Sequence, residues 1–295
     1  MNKKAEYINE LALENAKKNN FSKALELMEE NSYNFPSIQA YNNLGAFIIE
    51  FGDTINNNID LKEKAKNYLQ KALDKGENAF SYMELANVFF IEKKYDIAVK
   101  YYNKALKLRE TLATFNNLAV SEYYCGEYDK AIKHLRNAYK MSNGEIDVIS
   151  ESYIFMLSKK GEVDSARKIL EILYKNPKYC WSVNILYLAF CCEDYKFINE
   201  NYLKILKENM LEKELCKALK YVFVKKKNKQ ELRKFRRECI KKIFTYDMSS
   251  FLEKIDILKY LYLKKINRKD VSIEFYPQLI YECHFFGCKN HNNKW

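Results

Sequence analysis

The sequence predicts an all-α protein built as an open solenoid of antiparallel helix pairs, and three observations carry that prediction. Only 7 glycines and 3 prolines occur in 295 residues, too few for the tight turns of a β-rich chain. Apolar residues make up 48% of the chain and return at spacings of three and four, the period of a helix face. Small residues that open alternate helices, Ala24, Ala65, Ala98, Ala131 and Ala166, follow one another at 41, 33, 33 and 35 residues. A period near 34 marks a helix-turn-helix repeat, and each pair exposes an apolar face that only the next can cover.

The predicted copies span 5–37, 38–76, 79–111, 112–144 and 147–178. The third reads "YMELANVFFIEKKYDIAVKYYNKAL" and the fourth "FNNLAVSEYYCGEYDKAIKHLRNAY". Leu85, Ala86, Tyr95 and Ala98 of one fall at the offsets of Leu118, Ala119, Tyr128 and Ala131 of the other. Alanine at these positions lets two helices approach to about 8–10 Å, with large residues filling the grooves between them. The long second step comes from about eight extra residues around "GDTINNNIDLK" (52–62), read as a polar loop between the two helices of that copy. Beyond 178 the pattern blurs into helical stretches at 181–193, 195–209, 212–226, 229–244 and 250–265, read as diverged pairs over 179–270. Residues 271–295 form a tail. In the acidic pair Glu193-Asp194, Asp194 is placed to cap the helix that follows.

These residues resemble the tetratricopeptide repeat family, whose pattern of a large residue, Leu-Gly/Ala, an aromatic, Gly-x-Tyr and Ala–large–Ala is carried by "YNNLGAFI", "AKNYLQKAL" and the two copies quoted above. The resemblance covers about residues 5–178. It implies a right-handed superhelix whose concave wall is formed by the first helix of each pair. On that wall lie Asn42, Asn43, Phe80, Met83, Asn87, Phe90, Asn116, Asn117, Val120 and Tyr123. Asparagine can bond both the N–H and the C=O of an extended peptide while apolar neighbours take its side chains. Some members of the family clamp a C-terminal carboxylate with two Asn and several cations. Asn87 and Asn117 match the Asn positions, whereas Met83, Val148 and Ser152 stand where cations are required.

Charge divides the chain. Residues 1–178 carry 26 Lys and Arg against 25 Asp and Glu, and residues 179–295 carry 24 against 14, so the formal charge of +11 lies almost wholly in the second part. Its focus is "KKKNKQELRKFRRECIKK" (225–242), where Leu232, Phe235, Cys239 and Ile243 share one helical face. Lys225, Lys226, Lys229, Arg233, Lys234, Arg236, Arg237 and Lys241 then form a basic surface suited to an acidic protein or, with less support because aromatics are sparse, to nucleic acid.

The tail "CHFFGCKNHNNKW" holds the one set of residues with ligand chemistry. Cys283, Cys288 and His291 offer three donors to zinc, and no other cofactor is expected. The other cysteines do not resemble a disulfide framework, and no apolar run reaches the about 18 residues needed to span a bilayer. A cytoplasmic protein with reduced thiols is expected. Catalysis is not: seven scattered glycines assemble no phosphate loop, and three histidines, two of them in the tail, leave little for acid–base work. The expected function is a non-enzymatic adaptor that binds a peptide or protein partner in the concave groove. Two further readings are a peptide-responsive regulator acting on an effector or nucleic acid through its basic helices, and a metal-binding accessory factor using the tail. Nothing in the residues sets an oligomeric state.

Overall fold

The computed structural model describes residues 2–55, 60–176, 185, 188–189, 191–208 and 277–294. Among them every regular element is helical. In order these are α1 (Lys3–Lys17), α2 (Phe21–Asn34), α3 (Ile38–Ile55), α4 (Asp60–Lys75), α5 (Ala79–Ile91), α6 (Tyr95–Leu108), α7 (Leu112–Tyr124), α8 (Tyr128–Met141), α9 (Asp147–Lys160), α10 (Val163–Tyr174) and α11 (Tyr195–Glu208), with a short 3₁₀ turn at Lys289–His291. The helices expected over 212–226, 229–244 and 250–265, and with them the whole basic stretch, lie outside the described residues.

Local chemistry starts several helices. Asn2 accepts hydrogen bonds from the N–H groups of Lys4 and Ala5 at 3.0 and 3.4 Å. Asn78 accepts from Ser81 at 2.8 Å and Thr111 from Thr114 at 3.1 Å, each satisfying a donor that the first helical turn leaves open. Within pairs the chain turns by one repeated device. The residue two positions before each second helix lies in the left-handed region: Asn19 (φ 61°), Lys93 (60°), Gly126 (79°), Gly161 (89°) and Glu193 (56°). The next residue donates its N–H five positions back, from Asn20 to Asn15, Lys94 to Phe89, Glu127 to Glu122, Glu162 to Leu157 and Asp194 to Ala189, at 2.8–2.9 Å. That is the closing bond of a Schellman turn. Its carbonyl then accepts the first bond of the second helix from Ala24, Ala98, Ala131, Ala166 and Ile198 at 3.0–3.2 Å. The repeat's turn is thus present again at Glu193, past the five copies read from the sequence.

The second pair departs from this pattern. Part of the stretch read as a loop is helical, because α3 runs on to Ile55 and α4 begins at Asp60. Phe51 anchors that extension, its ring stacked on Phe21 at 4.7 Å. Here α3 and α4 also lie close together, since a Cβ on Gly45 would lie 2.7 Å from Leu69 Cγ. The third and fourth pairs carry Ala86 and Ala119 at that position, both without exposed surface.

The chain forms two compact units, Met1–Ala138 with Leu279–Trp295, and Tyr139–Gln278. In the first, each helix from α1 to α6 packs on its successor, and α3 also touches α5, so inner helices of neighbouring pairs lie side by side. Ala24, Ala65, Ala98 and Ala131 are fully buried. In the second unit α9 packs on α10, burying Ile149, Ile154, Leu157 and Leu170. Asp194 caps α11 by accepting from the Phe197 N–H at 3.1 Å, and the Tyr174 hydroxyl donates to its other oxygen at 3.0 Å.

Candidate functional site

The first unit contains a stretch of chain remote in sequence from its helices. Residues 279–294 lie along the inner helices, and asparagines hold their main chain. Asn117 Oδ1 accepts the Ile280 N–H at 2.7 Å while its Nδ2 donates to the Ile280 carbonyl at 2.9 Å. Asn43 does the same to Phe286, at 2.8 Å in each direction. Asn42 donates to the His284 carbonyl at 2.7 Å, and Asn9 to that of Phe286 at 3.0 Å. A planar amide offers a donor and an acceptor side by side, which is what a single residue of extended peptide presents along its edge.

The contacts follow both periodicities. Asn43, Glu84 and Asn117 each precede the repeat leucine, Leu44, Leu85 or Leu118. They meet Phe286, His284 and Ile280 respectively, so the tail runs against the order of the repeats. Between them the Glu282 carboxylate accepts the Ala113 N–H at 3.3 Å. Ile280, Glu282, His284 and Phe286 thus each bond the helices, in the two-residue period of an extended strand, and Tyr281 between the first two is exposed, whereas Phe285 is also buried.

Charge and packing reinforce the seat. His284 is 3% exposed, and its Nδ1 lies 2.6 Å from the Glu84 carboxylate. The Phe80 ring stacks on His284 at 5.6 Å and meets Phe286 edge-on at 4.8 Å, with the Arg109 guanidinium 5.2 Å from its centre. Phe285 and Cys288 join the core formed by Ile8, Leu27, Leu44 and Phe47, and Ile280 packs on the core around Tyr102 and Leu118.

Of the residues predicted for the groove, Asn42, Asn43, Phe80 and Asn117 touch the tail. Asn116 supports Asn117 by donating to its Oδ1 at 3.0 Å. Asn87 is turned into the helix pair, where its oxygen accepts the Tyr102 hydroxyl at 2.6 Å and its buried amide nitrogen finds no partner among the described residues. Met83 sulfur accepts from Thr114, Val120 is fully buried, Phe90 packs on Tyr95 and Tyr124, and Tyr123 on Tyr124 and Tyr128. Sequence reasoning missed Asn9, Glu84 and the tail itself. Glu84 was findable, since it fills the repeat position held by Asn43 and Asn117. Lys225, Lys226, Lys229, Arg233, Lys234, Arg236, Arg237 and Lys241 lie outside the described residues.

Past Phe286 the tail turns back at Gly287 (φ 75°) into the 3₁₀ turn. There Cys283, Cys288 and His291 place their ligand atoms within 4.8 Å of one another, and Cys288 Sγ lies 3.3 Å from His291 Nδ1. Burial pushes the Cys283 thiol up to about 11, with Cys288 adding to the effect and a backbone bond at Phe285 opposing it. This turn borders a cavity of about 710 Å³ whose walls include Glu10, Lys17, Glu50 and Glu84. Burial of its carboxyl end and the nearby Glu84 raise the Glu50 pKa, and His284 lowers it.

Comparison with known proteins agrees with this architecture. Residues 111–143 match the tetratricopeptide repeat family model. A solved structure of PilF of Pseudomonas aeruginosa is similar at 17% identity, over 70% of this chain and 92% of that one, with a TM-score of 0.54. A crystal structure of MamA is 18% identical over 66% of this chain and 97% of that one, with a TM-score of 0.48. At such identities the likeness concerns the fold alone. No curated protein matches the sequence. No described helix is long and apolar enough to cross a membrane. The fourth helix pair is thus a direct match to the tetratricopeptide repeat, and the same turn is built into the pairs around it.

Proposed function

We propose that this protein is a non-enzymatic interaction adaptor whose asparagine-lined groove reads the main chain of an extended protein segment, and that its own tail is the resident occupant. The observation that carries this reading is the paired hydrogen bonding of Asn43 and Asn117, each to both polar groups of one tail residue. Such bonds recognise extension rather than sequence, and Phe80, Glu84 and the flanking core select the side chains. A partner segment that alternates apolar and polar residues would use the same contacts after displacing the tail. A reducing, cytoplasmic setting suits the free thiols at Cys125, Cys191, Cys192, Cys283 and Cys288.

Amide hydrogen exchange on the full chain tests the seat. Asn43→Ala with Asn117→Ala should raise exchange at Ile280 and Phe286 by at least tenfold, because both residues lose the acceptor of their N–H. A synthetic peptide of residues 277–294, labelled and added to a chain ending at Gln278, should bind, and the double variant should weaken it by about tenfold or more. Unchanged exchange and unchanged peptide binding would refute the groove reading.

A further inference from the structure

We propose that Cys283, Cys288 and His291 form a zinc site that fastens the far end of the tail, a role beyond the groove reading. The site stands on its own geometry; only its consequence, that the metal holds the occupant in place, rests on that reading.

Three features of the tail build it. Cys288 is the residue before the 3₁₀ turn and His291 closes it, and in that helix residues three apart stand one above the other. Their ligand atoms are accordingly 3.3 Å apart. Gly287 in the left-handed region reverses the chain so that Cys283 returns to the same point. The Asn293 side chain then ties the loop from outside, donating to the carbonyls of Cys283 at 2.8 Å and Phe285 at 3.2 Å. From metal–ligand lengths of about 2.3 Å for sulfur and 2.0 Å for nitrogen, a tetrahedral ion needs its donors about 3.5–3.8 Å apart. The largest separation here is within 4.8 Å, so closing around an ion takes about 1 Å of side-chain movement.

Two thiolates and an imidazole favour zinc among the available divalent ions, because soft sulfur disfavours magnesium and calcium. Binding would release the two thiol protons to solvent and leave the histidine neutral, with no change of oxidation state. His284 takes no part, its ring being held between Glu84 and Phe80. Three protein donors leave a fourth position, and the cavity beside the turn carries the carboxylates of Glu10 and Glu50. Water or one of these carboxylates would complete the shell. The ion would close the loop directly after Phe286, the last residue held by Asn43, and so resist peeling of the tail from that end.

Metal analysis of the purified full chain should find about one zinc per molecule. Cobalt substitution should give the charge-transfer band of thiolate ligation and the intense ligand-field absorption of a tetrahedral site. His291→Ala, at an exposed position, and Cys288→Ser should each weaken zinc by more than about tenfold, and Cys125→Ser should not. Circular dichroism verifies that the variants stay folded. Absent zinc, a cobalt spectrum without thiolate character, or equal binding by the Cys125 and Cys288 variants would overturn the site. Hydrogen exchange at 280–286 separates this from the groove reading. Protection that persists without any metal binding defeats the metal site alone; metal binding with no protection dependent on Asn43 and Asn117 defeats the groove.

Discussion

Helices α7 and α9 are inner helices of successive pairs, and they differ at the position that matters most. Fourteen residues before the marker alanine of its pair, α7 carries Asn117, which engages both polar groups of Ile280. The same count back from Ala166 reaches Ser152 in α9. Its hydroxyl is buried and finds no partner among the described residues, as does that of Ser150 two positions earlier. Both helices close with the same turn and bury the same kind of apolar face. Scaffold and recognition are therefore separable: among the described residues the turn and the small residues repeat in both units, while the amides that read main chain lie in the first.

That separation can be broken from either side. The largest expected effect falls on the scaffold. Ala131→Leu forces a bulky side chain into a fully buried helix contact and should cost about 2–3 kcal/mol, read as a lower melting temperature; an unchanged melt would mean the marker alanines do not set the helix spacing. Next comes recognition. Asn117→Ala strips the Ile280 N–H and C=O of their partners and should cost about 1–3 kcal/mol in urea unfolding. Ser152→Ala removes a hydroxyl that has no partner among the described residues, so it should be neutral or stabilising by under about 1 kcal/mol. Equal losses for the two variants would erase the contrast between α7 and α9.

The turn gives a finer pair of tests. Gly126→Ala puts a side chain on a residue at φ 79° with open space around it, so any loss is conformational and should be about 1 kcal/mol. Lys93→Gly relieves the same conformation at an exposed site and should gain up to about 0.5–1 kcal/mol. The smallest effect is acidic. Burial acts to raise the Glu92 pKa, but hydrogen bonds and charge from Lys66 and Lys94 prevail and hold it below the usual carboxylate range. Lys66 is raised in turn: burial opposes its charge, and Glu63 and Glu92 outweigh that. A lowered carboxylate contributes stability above its unfolded value near 4.5, and loses it as pH falls through the lower folded value. The acid unfolding limb of Glu92→Gln should therefore be flatter by up to about 1 kcal/mol.

The repeats were legible because a buried alanine every three dozen residues is a local rule that each pair must obey to pack. The turn was partly legible: Gly126 and Gly161 mark left-handed positions, whereas Asn19, Lys93 and Glu193 adopt the same angles without advertising them. The extension of α3 to Ile55 stayed hidden because Asn, Thr and Asp read as loop, while Phe51 stacking on Phe21 is a tertiary contact. The groove was visible as a wall of asparagines but not as an occupied one. Ile280 and Asn117 are 163 residues apart, and no periodicity links them. Asn87 was misleading for a related reason: its place on the inner helix suggests the groove, and only the Tyr102 hydroxyl 2.6 Å away shows that it faces the pair.

The tail is covalently attached to the surface it covers, and this sets the terms for any rival. A tethered segment acts at an effective local concentration that does not fall when the protein is diluted. An outside segment with the same contacts would have to outcompete that local concentration to enter. Successful competitors must either bind more tightly than the resident or arrive when its anchor is loosened, so the groove filters partners by strength and timing before it filters them by sequence.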